Sequence, residues 1–226
     1  MVYLIFTQGY TAPPDAPEHR MLRAEAIRLG NLNATLMPDE PEAMGLAALM
    51  VLHDARCAAR YTDAGEVILL MDQDRSRWDR SQIAEGVGLL ARALRHERIG
   101  RYQIQATIAA LHAQAATPEA TDWAGIAALY AQLLAIQPSP VVALNHGVAV
   151  AMATSPTDGL DLIDRIEGLD RYHLFHAARA DLLRRLDRAH EAAEEYRRAH
   201  ALAANPADRR LLARRLLEID TPAQGF

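Results

Sequence analysis

Proline falls at the joints of this chain. Pro41, Pro138, Pro140, Pro156 and Pro206 each stand at the edge of a stretch whose apolar residues recur at helical spacing. Proline suits the first turn of a helix and disrupts its interior. The pattern therefore fixes a succession of helices with short connections, in which neighbours run antiparallel. Composition agrees. Half of the 226 residues are hydrophobic, aromatics are only 5%, and Ala, Leu and Arg dominate, the residues that lose least on entering a helix.

The first ten residues are apolar, and at this position they pack against the core or continue a segment upstream. Thr11 to Pro17 holds three prolines and reads as a loop. Helices are expected over about 18–36, 41–60, 80–97, 101–115, 122–137, 139–154, 157–167, 171–186, 188–204 and 206–219. The exception is 61–71, where Asp63-Ala64-Gly65 signals a turn before Val67-Ile68-Leu69-Leu70; a short hairpin or extended segment fits. Gly86 and Gly88, inside a helical pattern, suggest close helix packing.

The second half is periodic. Residues 173–206 form a 34-residue unit with small residues at Ala180, Ala192 and Ala199 and an aromatic at Tyr196, the small-small-aromatic-small pattern of a tetratricopeptide repeat. Tyr130 and Pro138 echo it more weakly. The fold class is thus all-α: an N-terminal helical part over 1–115, and a tetratricopeptide-like α-α superhelix over 116–226, expected as one continuous globular unit. Stacked repeats leave a concave surface suited to a protein or peptide.

Several function classes are disfavoured. A formal charge of −5 argues against direct nucleic-acid binding, which needs a clustered positive surface. All 24 basic residues are Arg, so charge pairs can be planar and bidentate. The single cysteine, Cys57, precludes an internal disulfide and reads as a core residue. No export signal or membrane-spanning stretch is visible, and a cytoplasmic protein is expected. No phosphate loop, nucleophile elbow or His-Glu-x-x-His motif occurs, so neither an enzyme nor a cofactor is expected. His173 and His176 share a helix, but no further ligand at suitable spacing argues for a metal.

Two polar clusters stand out. In Gln73-Asp74-Arg75-Ser76-Arg77-Trp78-Asp79 the opposite charges nearly cancel. One reading is an ion-pair and capping network, with Asp79 and Gln82 as a capping box for the next helix. The other is a contact surface anchored by Trp78 and the arginines. His53-Asp54 with Arg56 and Arg60 forms a polar stripe on the second helix, either satisfied by its neighbours or sensing a ligand.

A set of blocks, in order, resembles one family. Leu4-Ile-Phe-Thr-Gln-Gly9-Tyr10, Leu49-Met-Val-Leu-His53-Asp54-Ala-Arg56, Gln73 to Asp79, Tyr102 to His112, Asp122-Trp123, Pro138 to Asn145 and His176-Ala-Ala-Arg179-Ala-Asp-Leu-Leu are similar to the tetratricopeptide-like C-terminal extension of ECF-subfamily RNA polymerase sigma factors. The resemblance covers essentially the whole chain. It departs at Thr7-Gln8, where the family has Asn-Glu, and at His146-Gly147, where it has Arg-Ala. The regions that read the −10 and −35 promoter elements in that family are absent from this sequence. The resemblance implies a regulatory, protein-interaction domain that controls transcription initiation in cis, with sigma regions 2 and 4 and core RNA polymerase as partners. Alternatives are a stand-alone repeat adaptor for a protein or peptide, or a small-molecule sensor. Candidate interaction or network residues are Gly9, Tyr10, His53, Asp54, Arg56, Gln73, Asp74, Arg75, Arg77, Trp78, Asp79, Asn145 and Arg179.

Overall fold

The structure, a computed structural model, describes residues 1–10 and 17–220. Of the loop expected over Thr11 to Pro17, residues 11–16 lie outside the described residues, and Pro17 opens α2. Eleven α-helices are present among those described: α1 (Val2–Tyr10), α2 (Pro17–Leu36), α3 (Pro41–Asp54), α4 (Arg80–Leu94), α5 (Arg101–Gln114), α6 (Trp123–Ile136), α7 (Pro140–Ala153), α8 (Pro156–Ile163), α9 (His173–Arg185), α10 (Ala189–Leu202) and α11 (Pro206–Asp220). The fold is all-α, and the chain divides into two compact units, Met1–Asp122 and Trp123–Phe226.

In the first unit α3 is the central element. Its run Ala47-Ala48-Leu49-Met50-Val51-Leu52 is buried on every side, as a helix that is apolar all round requires. α2, α4 and α5 pack on it, and α1 packs on α2. The apolar N-terminus is thus a helix in its own right, with Phe6 1% exposed beside Ala26 and Met50. Gly86 lets α4 close on α3, since an added Cβ would stand 2.6 Å from Leu52 Cγ. Gly88, expected to do the same, faces open space with nothing within 4 Å of an added Cβ.

α3 stops at Asp54, earlier than the expected 60. A 3-10 turn, Cys57–Ala59, follows. No strand forms over 61–71 among the described residues. One antiparallel bridge, Tyr61 to Val67, closes the turn, with Gly65 at φ 72°, a conformation that favours glycine. Two further 3-10 turns, Leu70–Asp72 and Arg75–Arg77, carry the chain into α4.

In the second unit each helix from α6 to α11 packs on the next in the chain. The positions singled out by spacing form its core: Ala180, Ala192 and Ala199 are fully buried and Tyr196 is 1% exposed. The alanines let α9 and α10 approach, and the Tyr196 ring fills the space towards Leu212 of α11. Asp187, at φ 58°, turns the chain between α9 and α10.

Candidate functional site

The polar residues of the first unit collect where α3 ends. Asp54, the last residue of α3, accepts from Arg23 Nε at 2.7 Å and from Gln82 Nε2 at 3.2 Å. Arg23 also donates to the Gly9 carbonyl at 3.1 Å. Gly9 is there because α1 and α2 touch: an added Cβ would meet the His19 carbonyl at 2.6 Å. Arg60 donates to the Tyr10 carbonyl and lies 3.7 Å above the Tyr10 ring. Two arginines therefore close the C-terminal end of α1, where free carbonyls and the helix dipole favour positive charge. An open cleft of about 490 Å³ beside this pair is lined by Arg20, Arg23, Asp54, Cys57, Arg77 and Gln82, among others.

Further along, of the ion-pair and capping network that was one reading of 72–80, the caps form and, among the described residues, the ion pairs do not. Asp74 caps the Arg75–Arg77 turn through Ser76 N (2.9 Å), and Asp79 caps α4 through Gln82 N (3.0 Å). The capping box is only half made: the Gln82 side chain goes to Asp54, and Asp79 N donates to the Ala55 carbonyl at 2.9 Å. Gln73 donates to the Ile68 carbonyl at 3.2 Å and ties the loop to itself. Arg75 turns inward, only 7% exposed, and donates to the carbonyls of His112 (3.0 Å) and Ala115 (2.6 Å) and to Thr121 Oγ1 (3.4 Å). It serves the C-terminus of α5 as Arg23 and Arg60 serve α1.

Trp78 is 2% exposed, so it is no surface anchor. Its ring lies 4.7 Å from the Arg75 guanidinium carbon and 5.9 Å from that of Arg56. Arg56 Nη2 lies 3.0 Å from His53 Nδ1. Burial first, then Arg56, Arg60 and His112, hold His53 well below the usual histidine range. Burial, Arg56 and Arg75 bring His112 down to about 4. Both rings are thus neutral at pH 7, and His53 can accept from Arg56. The Cys57 thiol is pushed up to about 12, by burial first and then by Asp54. It is no nucleophile at neutral pH.

Of the candidates, Gly9, Tyr10, His53, Asp54, Arg56, Gln73, Asp74, Arg75, Arg77, Trp78 and Asp79 all belong to this region; Arg77 and Asp74 are exposed. Asn145 and Arg179 belong to the second unit. Asn145 is exposed on α7. Arg179 joins a buried network that spacing did not reveal: it bonds Asp164 (2.7 Å) and Glu195 (3.0 Å), and Glu195 Oε2 lies 2.6 Å from His176 Nδ1. Glu195 is 3% exposed and was hidden in the sequence among the acidic residues of α10. His173 instead faces Asp208 at 3.5 Å, so the two histidines do not converge on one site. No group of three potential metal ligands occurs among the described residues. The roles of Arg23 and His112 are not visible in the sequence, because each reaches the site from another helix, and Gln82, expected as a capping partner, turns its side chain to Asp54 instead.

No helix among the described residues is long and apolar enough to cross a membrane. Residues 1–94 match a family of unknown function (DUF6596). The chain is 47% identical over 211 residues to an uncharacterized protein of Rhizobium meliloti (strain 1021), an alignment that takes in 92% of this chain and 50% of that protein. The chain thus spans about half the length of the curated relative it matches.

Proposed function

We propose that this chain is the regulatory, protein-interaction domain of an ECF-type sigma factor, acting in cis on sigma regions 2 and 4 and on core RNA polymerase. The observation that carries this reading is the ordered run of family-like blocks from Leu4 to Leu183. Two features support it. The relative aligns with this chain over only half its length, and the remainder is large enough for two small domains. The exposed Arg77 and Asp79 line a cleft on the first unit, a surface of mixed charge suited to polar recognition.

The test is titration of a purified fragment holding sigma regions 2 and 4 with this chain, followed by transcription from a matched promoter with and without it. Saturable binding that Arg77→Glu weakens, together with changed initiation, is the expected result. No binding, and equal initiation without the domain, would reject the reading.

A stand-alone adaptor is the second reading. The α9–α10 hairpin favours it, since its core follows a repeat pattern used for peptide capture and Leu174 is 46% exposed on α9. Peptide binding that is sensitive to Leu174→Asp, without affinity for sigma regions, would select it.

A further inference from the structure

Three buried donors of the first unit meet no acceptor among the described residues: Nε of Arg56, Nε of Arg75 and Nε1 of Trp78. They belong to one cluster, because both guanidinium groups lie over the Trp78 ring. His53 and His112 border it. Arg56 and Arg80 both bear on Arg75 by like charge, and Arg60 stands beside His53.

Among the described residues the cluster also has no counter-charge in ion-pair contact with it: no ion pair includes Arg56, Arg60 or Arg75, and Asp54 is taken by Arg23 and Gln82. The carboxylate that bears on Arg75 is that of Glu119, an exposed residue. Buried donors are almost always satisfied, and a buried charge persists when it is paired. What this cluster asks for is an acceptor with several lone pairs and a negative charge. A water molecule would answer the donors but not the charge.

We propose that Arg56, Arg75 and Trp78 form a binding site for a compact oxyanion, the phosphate or carboxylate group of a small molecule. Guanidinium groups match the planar spacing of such oxygens and bind them by charge-assisted hydrogen bonds. The indole N–H supplies a further donor. The site needs no sigma regions and is independent of the function proposed above.

The test uses the full chain with its two tryptophans labelled with ¹⁵N in the indole ring. Trp78→Phe assigns the Trp78 resonance, and Trp123, in the second unit, serves as the reference. Sodium phosphate, sulfate, acetate and succinate are titrated separately at constant ionic strength. The expected result is a saturable movement of the Trp78 resonance with Trp123 fixed, and a loss of affinity of about tenfold or more in Arg56→Met. Saturation by phosphate and sulfate alone assigns a phosphate-bearing ligand; saturation by acetate or succinate alone assigns a carboxylate. The proposal is overturned if no probe moves Trp78 saturably, or if Arg56→Met leaves the response intact. Should Arg56→Met fail to fold, calorimetric titration of Trp78→Phe decides, because that variant keeps a stacked ring and loses one donor. Affinity reduced several-fold supports the site, and unchanged affinity overturns it.

Discussion

The Arg23–Asp54 pair decides whether the End of α3 is a scaffold or an active surface. Their side chains are 9% and 19% exposed, and the contact is 2.7 Å. Arg23 also holds the Gly9 carbonyl, and Asp54 also holds Gln82, so the pair joins α1, α2, α3 and α4. A surface pair of this kind contributes at most about 1 kcal/mol. Here the carboxylate is largely removed from water, and hydrogen bonds to charged groups contribute about 1.5–3 kcal/mol. Arg23→Met strands Asp54 and frees the Gly9 carbonyl, and should cost about 3 kcal/mol. Asp54→Leu strands Arg23 and should cost about 2–3 kcal/mol by the same reasoning. The double variant should cost less than the sum by about 1–3 kcal/mol, the coupling typical of groups in one network. Urea unfolding followed by circular dichroism at 222 nm, with Trp78 fluorescence reporting the first unit, measures all four corners of the cycle. A coupling below about 0.5 kcal/mol would refute the scaffold argument. Single variants of wild-type stability that lose partner binding would instead make Asp54 a contact residue.

Three further outcomes are expected. His112 titrates at about 4 in the folded protein against 6.5 as a free group, so the unfolded chain takes up the proton first and stability falls as pH drops from about 6.5 to about 4; the loss from His112 alone is up to about 3 kcal/mol, His53 acts in the same direction, and His112→Gln should flatten the pH profile of unfolding in that window. Cys57, with its thiol at about 12, should resist a thiol-specific disulfide reagent at pH 8, where only about one molecule in ten thousand is thiolate, and should react at once when urea unfolds the first unit. Gly159→Ala should destabilise by about 1–3 kcal/mol, because an added Cβ would strike the Ala151 Cβ and stand 2.6 Å from the Gly147 carbonyl, whereas Gly88→Ala, with open space around it, should stabilise by about 0.5–1 kcal/mol; both are read from thermal melts.

The fold was legible because its determinants are local. Proline at a helix start and apolar period set the bounds of α2 and of α4 to α11 within a few residues, and Ala180, Ala192, Tyr196 and Ala199 marked the α9–α10 seam because their spacing is the packing rule itself. α3 overran in the sequence reading since Ala58 and Ala59 carry no stop signal; the helix ends where the chain turns to bring Ala55 against Asp79 N. α1 went unread because nine residues are too few for periodicity to speak, and its helicity rests on tertiary contact. The site was half legible. Asp79 declared its capping role by position. Among the described residues the charge pairs anticipated from Asp72 to Arg80 do not form: the end of α5 at Ala115 draws Arg75 inward, Arg80 donates to the Arg75 carbonyl, and Arg77 stays exposed. Carbonyl acceptors are present in every residue and leave no mark in a sequence.

The arginines of the 73–79 segment face two ways, and this bears on how the two proposals relate. Arg75 and Arg77 bound one three-residue turn. Arg75 points inward to Trp78 and the end of α5, and Arg77 is exposed beside the cleft at Asp54. A macromolecular partner can reach Arg77 and Asp74 but not Trp78, Arg56 or Arg75. A small anion can satisfy those three and is too small to span both sets. The two kinds of ligand would therefore occupy opposite sides of one turn whose ends are fixed by Asp74 and Asp79. Any difference in the turn's geometry between the anion-bound and anion-free states would appear at Arg77 as a difference in affinity for the partner, and the coupling would be reciprocal. If the anion is bound but leaves affinity at Arg77 unchanged, the turn is rigid and the site serves stability alone.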